Sequence, residues 1–502
     1  MNGKTPKACE GCRLRKVKCN GQQPCQQCNH LNLSCNYSAP RDRSRQIVRG
    51  SRLALLKTPR GGQQQRTLPA LVSKPSPTNV NSWHYHEYSE GFFLSLLDDY
   101  ESVVYPVNPV IPRSEIEDAI KTMEHDATSA ALVYAYAAVT INLSRISFRD
   151  ANGDISAQIN DFMTRSFTAR STADAGDDYS GLAPTMAVSI QKIMTCLFLE
   201  ISLMALKRFD KAWLMLREAI SMIQMLEVRD RKESRGNDVD VARYQRMYWE
   251  LFIHERFTTI LMSYPSILPP LRSPLPLADP TIPPHVNVGF TRLIRLFLIL
   301  DDDFLRHWIA QNYEEEAAKP EMIISWIEHK QQQLDDDEHA AEYDTRSSDL
   351  TELQVADLFV TRVWLRTLVW QLAMSRCLLS SAPPSSAHEG LSLAFPAQRL
   401  STQLRSLVDT LKSQTSITMH GSGILQKLFE ITNTIADVMT VVSNPGPDAA
   451  GSQRVRDLVF LVEMLLSFER IDQVQRNILK SKMEALVDKF PGFGVPELNF
   501  HG

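Results

Sequence analysis

The chain has 502 residues, of which 43% are hydrophobic and 22% are charged, an ordinary composition for a soluble globular protein. This length allows two to four domains with a large buried core, and the net charge of −4 by itself gives no sign of an anionic partner. The average hides a split, because residues 1–66 carry 14 lysines and arginines against two acidic residues. A basic arm on an acidic body indicates a nucleic-acid partner.

The sequence argues against secretion and against a membrane-spanning helix. The amino terminus is polar and lacks the apolar core of a secretion signal, so we expect an intracellular protein with reduced thiols. A long apolar stretch without charged residues runs from Ala127 to Ser144 and contains five Ser, Thr or Asn side chains. This stretch is therefore predicted to be a buried helix of a soluble domain rather than a membrane span.

Six of the eight cysteines fall within residues 9–35, with the spacing C-x2-C-x6-C-x5-C-x2-C-x6-C. The spacing consists of two nearly identical halves. The six are Cys9, Cys12, Cys19, Cys25, Cys28 and Cys35. The two remaining cysteines, Cys196 and Cys377, stand alone in apolar surroundings and are predicted to be core thiols.

A metal centre explains the six cysteines better than the alternatives. A disulfide knot needs an oxidising compartment, and a thioredoxin-like C-x-x-C needs a βαβ setting. A zinc deaminase shares the fragment P-C-x-x-C, but its H-x-E motif is absent from this sequence. Zinc favours four thiolates in a tetrahedron, and six thiolates fill two such sites only if two are shared. The sequence therefore predicts a binuclear cluster with two structural Zn²⁺ ions.

The stretch ACEGCRLRKVKCNGQQPCQQCNHLNLSCNY closely resembles the fungal Zn2Cys6 binuclear-cluster DNA-binding domain. This resemblance implies that Cys9 and Cys25 bridge the two zinc ions, while the other four cysteines are terminal ligands. Both sites are then closed by protein, as structural zinc sites are. Because the stretch offers few aliphatic side chains, we expect metal removal to unfold it.

The segment RLRKVK between Cys12 and Cys19 is predicted to form a short helix with its basic side chains outward. Its basic residues are Arg13, Arg15, Lys16 and Lys18. The resemblance implies that this helix enters the major groove of double-stranded DNA at a CGG-type triplet. Arg15 and Lys16 are then the base contacts, with Lys16 first, and Arg13 and Lys18 contact phosphates. Residues 1–40 form the predicted DNA-binding domain.

Residues 41–84 are predicted to form a linker, which is basic in its first part and rich in Gln, Ser and Pro in its second part. A short apolar face at Ile47, Leu53 and Leu56 ends at Pro59, within one or two heptads. The sequence leaves open whether the protein is a monomer reading one triplet or a homodimer reading two.

Residues 85–495 are predicted to form one large all-α domain. Helical periodicity is clear at 190–204 and 215–226, and the proline-rich segment Pro265–Pro284 breaks it. It resumes around 290–312, 320–334, 350–380 and 398–415. The acidic run Asp335–Glu338 is predicted to be an exposed loop. The expected fold class is mainly α: a small zinc-stapled DNA-binding module, a linker and a large all-α regulatory domain.

The body also resembles a known domain. The segment SIQKIMTCLFLEISLMALKRFDKAW and the later YWELFIHERFTTILMSYPSILPP are similar to the fungal transcription-factor regulatory domain. The segment DLFVTRVWLRTLVWQLAM is similar to maltose-utilisation and amylase regulators. No inducer ligand follows from this resemblance; we expect Trp364, Trp370, His420 and Glu255 to serve in packing.

These features predict a sequence-specific DNA-binding transcription factor, an activator acting in the nucleus on RNA polymerase II genes through the transcription machinery. An enzyme is disfavoured because no zinc-protease, dinucleotide, P-loop or hydrolase motif is present. The alternative is a zinc-dependent protein–protein module, or a repressor without its own activation function. The targets are either carbohydrate-utilisation genes or a secondary-metabolite gene cluster. An activation segment is predicted either at 335–357 or at Leu458–Phe468.

Overall fold

The computed structural model describes residues 8–9, 12, 18–30, 35, 88–145, 149–150, 153–178, 188–230, 238–272, 275–311, 320–345, 350–411, 421–441 and 449–489. The predicted linker 41–84 lies outside these residues, as do the predicted domain boundaries at 40 and 84. The boundaries of the three predicted domains therefore stay predictions.

The described residues are mainly helical, which confirms the predicted fold class. In chain order, the first helices are α1 Gln26–His30, α2 Glu90–Leu94, α3 Leu97–Asp99, α4 Arg113–Thr122, α5 Ala127–Ser144, α6 Ile155–Asp178, α7 Ile190–Ala205, α8 Phe209–Asp230 and α9 Asp238–Met262. The later helices are α10 Pro284–Leu298, α11 Asp302–Ala310, α12 Pro320–Thr345, α13 Glu352–Ser375, α14 Ser401–Thr410, α15 Gly421–Val441, α16 Ala449–Leu466 and α17 Gln473–Lys489.

Shorter elements complete the described fold. Strands β1 (Arg149–Asp150) and β2 (Gly153–Asp154) pair antiparallel, with Arg149 opposite Asp154 and Asp150 opposite Gly153. Single turns of π- or 3-10 helix span Tyr100–Val104, Glu389–Leu391 and Pro396–Leu400.

The chain divides into two compact units. The amino-side unit comprises Val48–Asn142 and Arg149–His254. The carboxy-side unit comprises Glu255–Gly502 together with Met1–Ile47 and Leu143–Phe148.

Helices α7 and α8 form the best-packed pair of the amino-side unit. Helix α7 begins after Ser189, whose hydroxyl accepts a hydrogen bond from the backbone N–H of Lys192 at 3.2 Å. Such a cap satisfies one of the unpaired N–H groups at a helix start. The predicted helix 190–204 is thus confirmed, and the predicted 215–226 lies inside α8, which begins earlier at Phe209. The lone Cys196 of α7 is fully buried, as predicted.

Helix α5 is the stretch that the sequence singled out as long and uncharged. It is long and apolar enough to cross a membrane by composition, and 83% of it is buried inside the protein. Thr140 and Asn142 of this helix are fully buried together with its apolar residues. This burial is that of a core helix, in agreement with the prediction.

Helix α13 is the central element of the carboxy-side unit, where it packs against α10, α12 and α15. Its start is fixed by a capping box between Thr351 and Gln354. Trp364 and Trp370 are both 1% exposed, and their indole N–H groups donate to Glu430 at 2.8 Å and to the carbonyl of Ser392 at 2.9 Å. The packing role predicted for both tryptophans is confirmed; His420 lies outside the described residues.

The proline-rich segment after α9 contains no helix between Met262 and Pro284 in its described residues, as predicted. It is held by Glu255, which is 3% exposed. The carboxylate of Glu255 accepts from the N–H of Ile267 at 2.8 Å, the N–H of Leu268 at 2.9 Å and the hydroxyl of Ser266 at 2.7 Å. The neighbouring Arg256 donates to the carbonyl of Leu268 at 3.0 Å. Glu255 therefore has the packing role predicted for it.

The prediction that Asp335–Glu338 is an exposed loop is wrong, because these residues lie within α12. Nη2 of Arg366 lies 2.7 Å from Oδ1 of Asp335 and 2.8 Å from Oε2 of Glu338, while Nε of Arg362 lies 2.7 Å from Oδ2 of Asp337. These ion pairs with α13 relieve the repulsion between adjacent carboxylates, so the helix continues. The other suggested activation segment, Leu458–Phe468, is also packed, since Leu458 and Leu461 are fully buried.

Candidate metal centre

The six clustered cysteines form two groups of four sulfurs. One group is Cys9, Cys12, Cys19 and Cys25, and the other is Cys9, Cys25, Cys28 and Cys35. Within each group all Sγ atoms lie within 4.8 Å of one another. Two sulfurs, those of Cys9 and Cys25, belong to both groups.

The individual sulfur distances are short. The Sγ atom of Cys9 lies 3.6 Å from that of Cys25 and 3.5 Å from that of Cys28, and the Sγ atoms of Cys12 and Cys25 are 3.3 Å apart. A disulfide has an S–S distance of about 2.05 Å, so these sulfurs are not bonded to each other. Four of the six cysteines are fully buried, and all six are free thiols.

The backbone around the sulfurs repeats with an offset of 16 residues. The N–H of Cys12 points to the sulfur of Cys9 at 3.4 Å, and the N–H of Cys28 points to the sulfur of Cys25 at 3.3 Å. The N–H of Cys9 likewise donates to Cys19, and that of Cys25 to Cys35. The two sequence halves thus fold into equivalent local structures that meet at Cys9 and Cys25.

The pKa values of the two shared thiols, Cys9 and Cys25, are shifted in opposite directions. Burial raises the pKa of the Cys9 thiol and that of the Cys12 thiol. Burial also acts to raise the pKa of Cys25, but hydrogen bonds from the backbone N–H of Cys28 and from neighbouring thiols outweigh it and lower this pKa to about 6. Six crowded thiolates need cationic charge close by, because like charges at this spacing repel.

This donor set fits zinc. Sulfurs at the corners of a tetrahedron around zinc, with Zn–S bonds of about 2.3 Å, lie roughly 3.8 Å apart. The observed distances of 3.3–3.6 Å and the 4.8 Å limit on every pair bracket that value. Among the described residues the buried cluster consists of the cysteines themselves, as expected of a small module held by structural zinc.

Short elements hold the second group in place. Cys25 directly precedes α1, and Cys28 lies within that helix, so the C-x-x-C pair converges from one turn. The connecting loop turns at Gly21, whose φ of 77° lies in the region that favours glycine.

Of the predicted DNA contacts, Lys18 is exposed beside Cys19. Arg13, Arg15 and Lys16 lie outside the described residues.

Asn20 is a polar residue of this loop that the sequence reasoning did not single out. Its side-chain oxygen accepts from the N–H of Gln26 at 3.2 Å and from the N–H of Gln22 at 3.4 Å. The signal was present, because an asparagine follows the third cysteine of each half, at Asn20 and Asn36.

Comparison with known proteins decides the identity of the module. Residues 7–44 match the fungal Zn(2)-Cys(6) binuclear cluster domain. The chain therefore carries a fungal Zn(2)-Cys(6) binuclear cluster domain, as its resemblance predicted. Zinc binding and DNA binding are the general properties of this family.

Relatives of this Zn(2)-Cys(6) regulator extend over most of its length. It is 22% identical to a Candida albicans protein named "Probable sucrose utilization protein" over 95% of this chain and 88% of that one. It is also 22% identical to a maltose fermentation regulatory protein of Saccharomyces cerevisiae, over 86% of this chain and 84% of that one. A transcriptional regulator of Kluyveromyces lactis is 43% identical over 51 residues, 10% of this chain and 9% of its own. These matches confirm the prediction that the chain is a transcription regulator and not an enzyme.

Proposed function

We propose that this Zn(2)-Cys(6) regulator is a nuclear activator that holds two structural zinc ions and binds CGG-type sites in double-stranded DNA. The observation that carries this proposal is the pair of four-sulfur groups with Cys9 and Cys25 in common. Six ligands satisfy two tetrahedral sites only through such sharing.

The two overlapping sulfur groups support the following proposed roles for the cysteines. Cys9 and Cys25 bridge the two sites, Cys12 and Cys19 complete one, and Cys28 and Cys35 complete the other. Bound zinc supplies positive charge that stabilises the thiolates and fixes the fold of a segment with few apolar side chains. All ligand positions come from protein, so these residues serve structure and leave no open position for catalysis.

DNA contacts are assigned to the basic segment between Cys12 and Cys19. Arg15 and Lys16 donate to guanine O6 and N7 in the major groove, and Arg13 and Lys18 donate to phosphates. The exposure of Lys18 supports its part of this assignment. The basic charge of residues 1–66 adds sequence-independent attraction to DNA.

The target genes are proposed to be those of carbohydrate utilisation, transcribed by RNA polymerase II. The support is the similarity to the sucrose utilization and maltose fermentation proteins, which extends through the helical body as well as the zinc module. In a regulator of this kind, the zinc module and the helical body both contribute to the choice and control of target genes. Similarity along the whole length therefore supports a shared pathway more strongly than a match to the zinc module alone.

Binding of the purified, zinc-loaded full chain to a CGG-containing duplex tests the DNA assignment. We expect specific binding that weakens steeply with salt, as phosphate contacts require, and that a zinc chelator abolishes. The ratio of protein to DNA in the complex distinguishes a monomer on one triplet from a homodimer on two. Absence of binding at any salt would favour the zinc-dependent protein–protein module.

Transcript profiling of a deletion strain tests the pathway. Reduced expression of sugar-uptake and glycosidase genes is the expected result for an activator of carbohydrate utilisation. Raised expression of these genes would identify a repressor instead. A response confined to a biosynthetic gene cluster would contradict the proposed target and assign the protein to secondary metabolism.

A further inference from the structure

The connection between the two halves of the zinc module is organised by one side chain. Asn20 directly follows Cys19, the last cysteine of the first half. Its Oδ1 atom accepts from the backbone N–H of Gln26, the first residue of α1 in the second half, at 3.2 Å. An asparagine oxygen that accepts from a free N–H in the first turn of a helix acts as a cap.

Two further contacts fix the loop around this bond. The same Oδ1 accepts from the N–H of Gln22 at 3.4 Å, and Nδ2 of Asn20 donates to Oε1 of Gln22 at 3.0 Å. Farther along, Nε2 of Gln23 donates to the carbonyl of Cys35 at 3.5 Å. The loop from Cys19 to Cys25 is therefore tied both to the start of α1 and to the last cysteine.

Metal–sulfur bonds fix the positions of sulfurs, but they leave the direction of a short helix to its backbone contacts. Helix α1 has five residues and carries the exposed side chains of Gln26 and Asn29. The Asn20–Gln26 hydrogen bond ties the first turn of α1 to the residue after Cys19. Asn20 thus contributes to the orientation of α1 relative to the first half, in addition to the sulfurs of Cys25 and Cys28.

We propose that Asn20 is a positioning residue for DNA recognition, which sets the orientation of the second half without touching zinc or bases. This inference rests on the proposed DNA-binding function, because the two halves must meet the duplex together. Loss of the cap would let α1 rotate about the cluster and reduce the fit of the specific complex. Non-specific binding, which depends on the basic charge, would be retained.

The test uses the zinc-loaded full chain and the variants Asn20→Ala, Asn20→Asp and Gln22→Ala. The readout is the ratio of affinities for a CGG-containing and a scrambled duplex. Asn20→Ala should lower this ratio about fivefold, because only the specific complex has to restore the orientation of α1, at a cost of the size of a lost cap. Asn20→Asp keeps the acceptor and should preserve the ratio, because its added negative charge weakens both complexes alike. Gln22→Ala, which leaves the bond to Gln26 in place, should also preserve it.

Two accompanying measurements separate positioning from general damage. All variants should hold the same amount of zinc per chain as the wild type. Hydrogen exchange of peptides covering residues 20–30 should be faster in Asn20→Ala than in Asn20→Asp, because the N–H of Gln26 has lost its acceptor. An unchanged affinity ratio in Asn20→Ala, an equal loss in Asn20→Asp, or loss of zinc from Asn20→Ala would overturn the proposal. A wild-type chain without preference for CGG would instead reject the proposed function, and the role of Asn20 with it.

Discussion

The Sγ atoms of Cys9 and Cys25 lie 3.6 Å apart, and each sulfur belongs to both four-sulfur groups. The other four cysteines belong to one group each. The six thiols are therefore unequal, although the sequence presents them as two equivalent triplets. This inequality makes the effect of removing a cysteine depend on which one is removed.

Replacing a shared cysteine should cost more zinc than replacing an unshared one. In Cys25→Ser both four-sulfur groups lose a member, so we expect zinc per chain to fall from two to nearly none. In Cys35→Ser the group Cys9, Cys12, Cys19 and Cys25 stays complete, so about one zinc should remain. Metal analysis of the purified full chain measures both values.

Cys196→Ala provides the matched control for these variants. Cys196 is fully buried in α7 and belongs to neither group, so zinc content should equal that of the wild type. If Cys25→Ser retained as much zinc as Cys35→Ser, the assignment of Cys25 as a bridging ligand would be incorrect.

Lys16→Ala and Lys18→Ala should weaken DNA binding in different ways. A base contact discriminates sequences, so Lys16→Ala should reduce the preference for CGG over a mismatched triplet by about 1–3 kcal/mol. A phosphate contact does not discriminate between sequences, so Lys18→Ala should weaken binding to all duplexes alike. It should also reduce by about one the slope of log affinity against log salt concentration. Titrations against both duplexes at several salt concentrations distinguish the two, and the reverse pattern would exchange the roles.

Glu255→Ala should destabilise the carboxy-side unit. The change leaves the N–H groups of Ile267 and Leu268 without their acceptor, and Leu268 is 1% exposed. The buried N–H of Leu268 left without an acceptor costs about 1–3 kcal/mol, so we expect a loss of roughly 2 kcal/mol in the free energy of unfolding. Urea unfolding followed by circular dichroism measures it.

The exposed Glu484 of α17 offers a control for this prediction. Glu484→Ala should change the free energy of unfolding by less than about 0.5 kcal/mol, as is usual at exposed positions. Equal effects of the two substitutions would show that the bonds to the proline-rich segment contribute little to stability.

The contribution of Asp335 to stability should depend on pH. Burial acts to raise its pKa, but the hydrogen bond from His388 and the charge of Arg366 outweigh burial and hold the pKa below the ordinary value. A carboxyl group whose pKa is lowered by folding stabilises the protein above its unfolded pKa of about 3.9, and loses this effect as the pH falls through the folded pKa. The difference in unfolding free energy between wild type and Asp335→Asn should therefore be largest at neutral pH and shrink below about pH 4.

The neighbouring Asp336 separates this effect from a general response of the acidic run. Asp336 is exposed and accepts a hydrogen bond from Gln332 of its own helix at 3.0 Å. Asp336→Asn should change stability little at any pH. The difference in unfolding free energy between wild type and Asp335→Asn is the quantity to follow. If it stayed constant from pH 7 to pH 3.5, the ion pairs of Asp335 would not be its source.

The features predictable from sequence are those whose partners lie nearby in the chain. The cysteine pairs Cys9–Cys12 and Cys25–Cys28 converge within one turn each, so their spacing alone indicated a metal centre. Helix α7 was equally clear, because its apolar periodicity and its start at Ser189 are local properties. The nature of the α5 helix followed from its own hydroxyl and amide side chains.

The features that sequence reasoning missed depend on distant residues. Asp335 appeared to mark a loop because its partners, Arg366 and His388, lie 31 and 53 residues further along the chain. The carboxylate of Glu255 meets its backbone donors only because the chain turns back after α9. Composition alone therefore overestimates the solvent exposure of such an acidic run, because packing between helices determines which of its carboxylates form ion pairs.

The ion pairs of α12 alter how the protein's electric field should be estimated. Asp335, Asp337 and Glu338 each have an arginine nitrogen within 2.8 Å. A close pair of opposite charges acts at a distance as a dipole, whose field decays faster than that of a single charge and is screened within about 8–10 Å in physiological salt. Because Asp335 and Glu338 share Arg366, two arginines offset two of the four carboxylates on this face. The face therefore repels a DNA duplex less than its four carboxylates suggest, and a potential calculated from the acidic residues alone would overstate the barrier to approach.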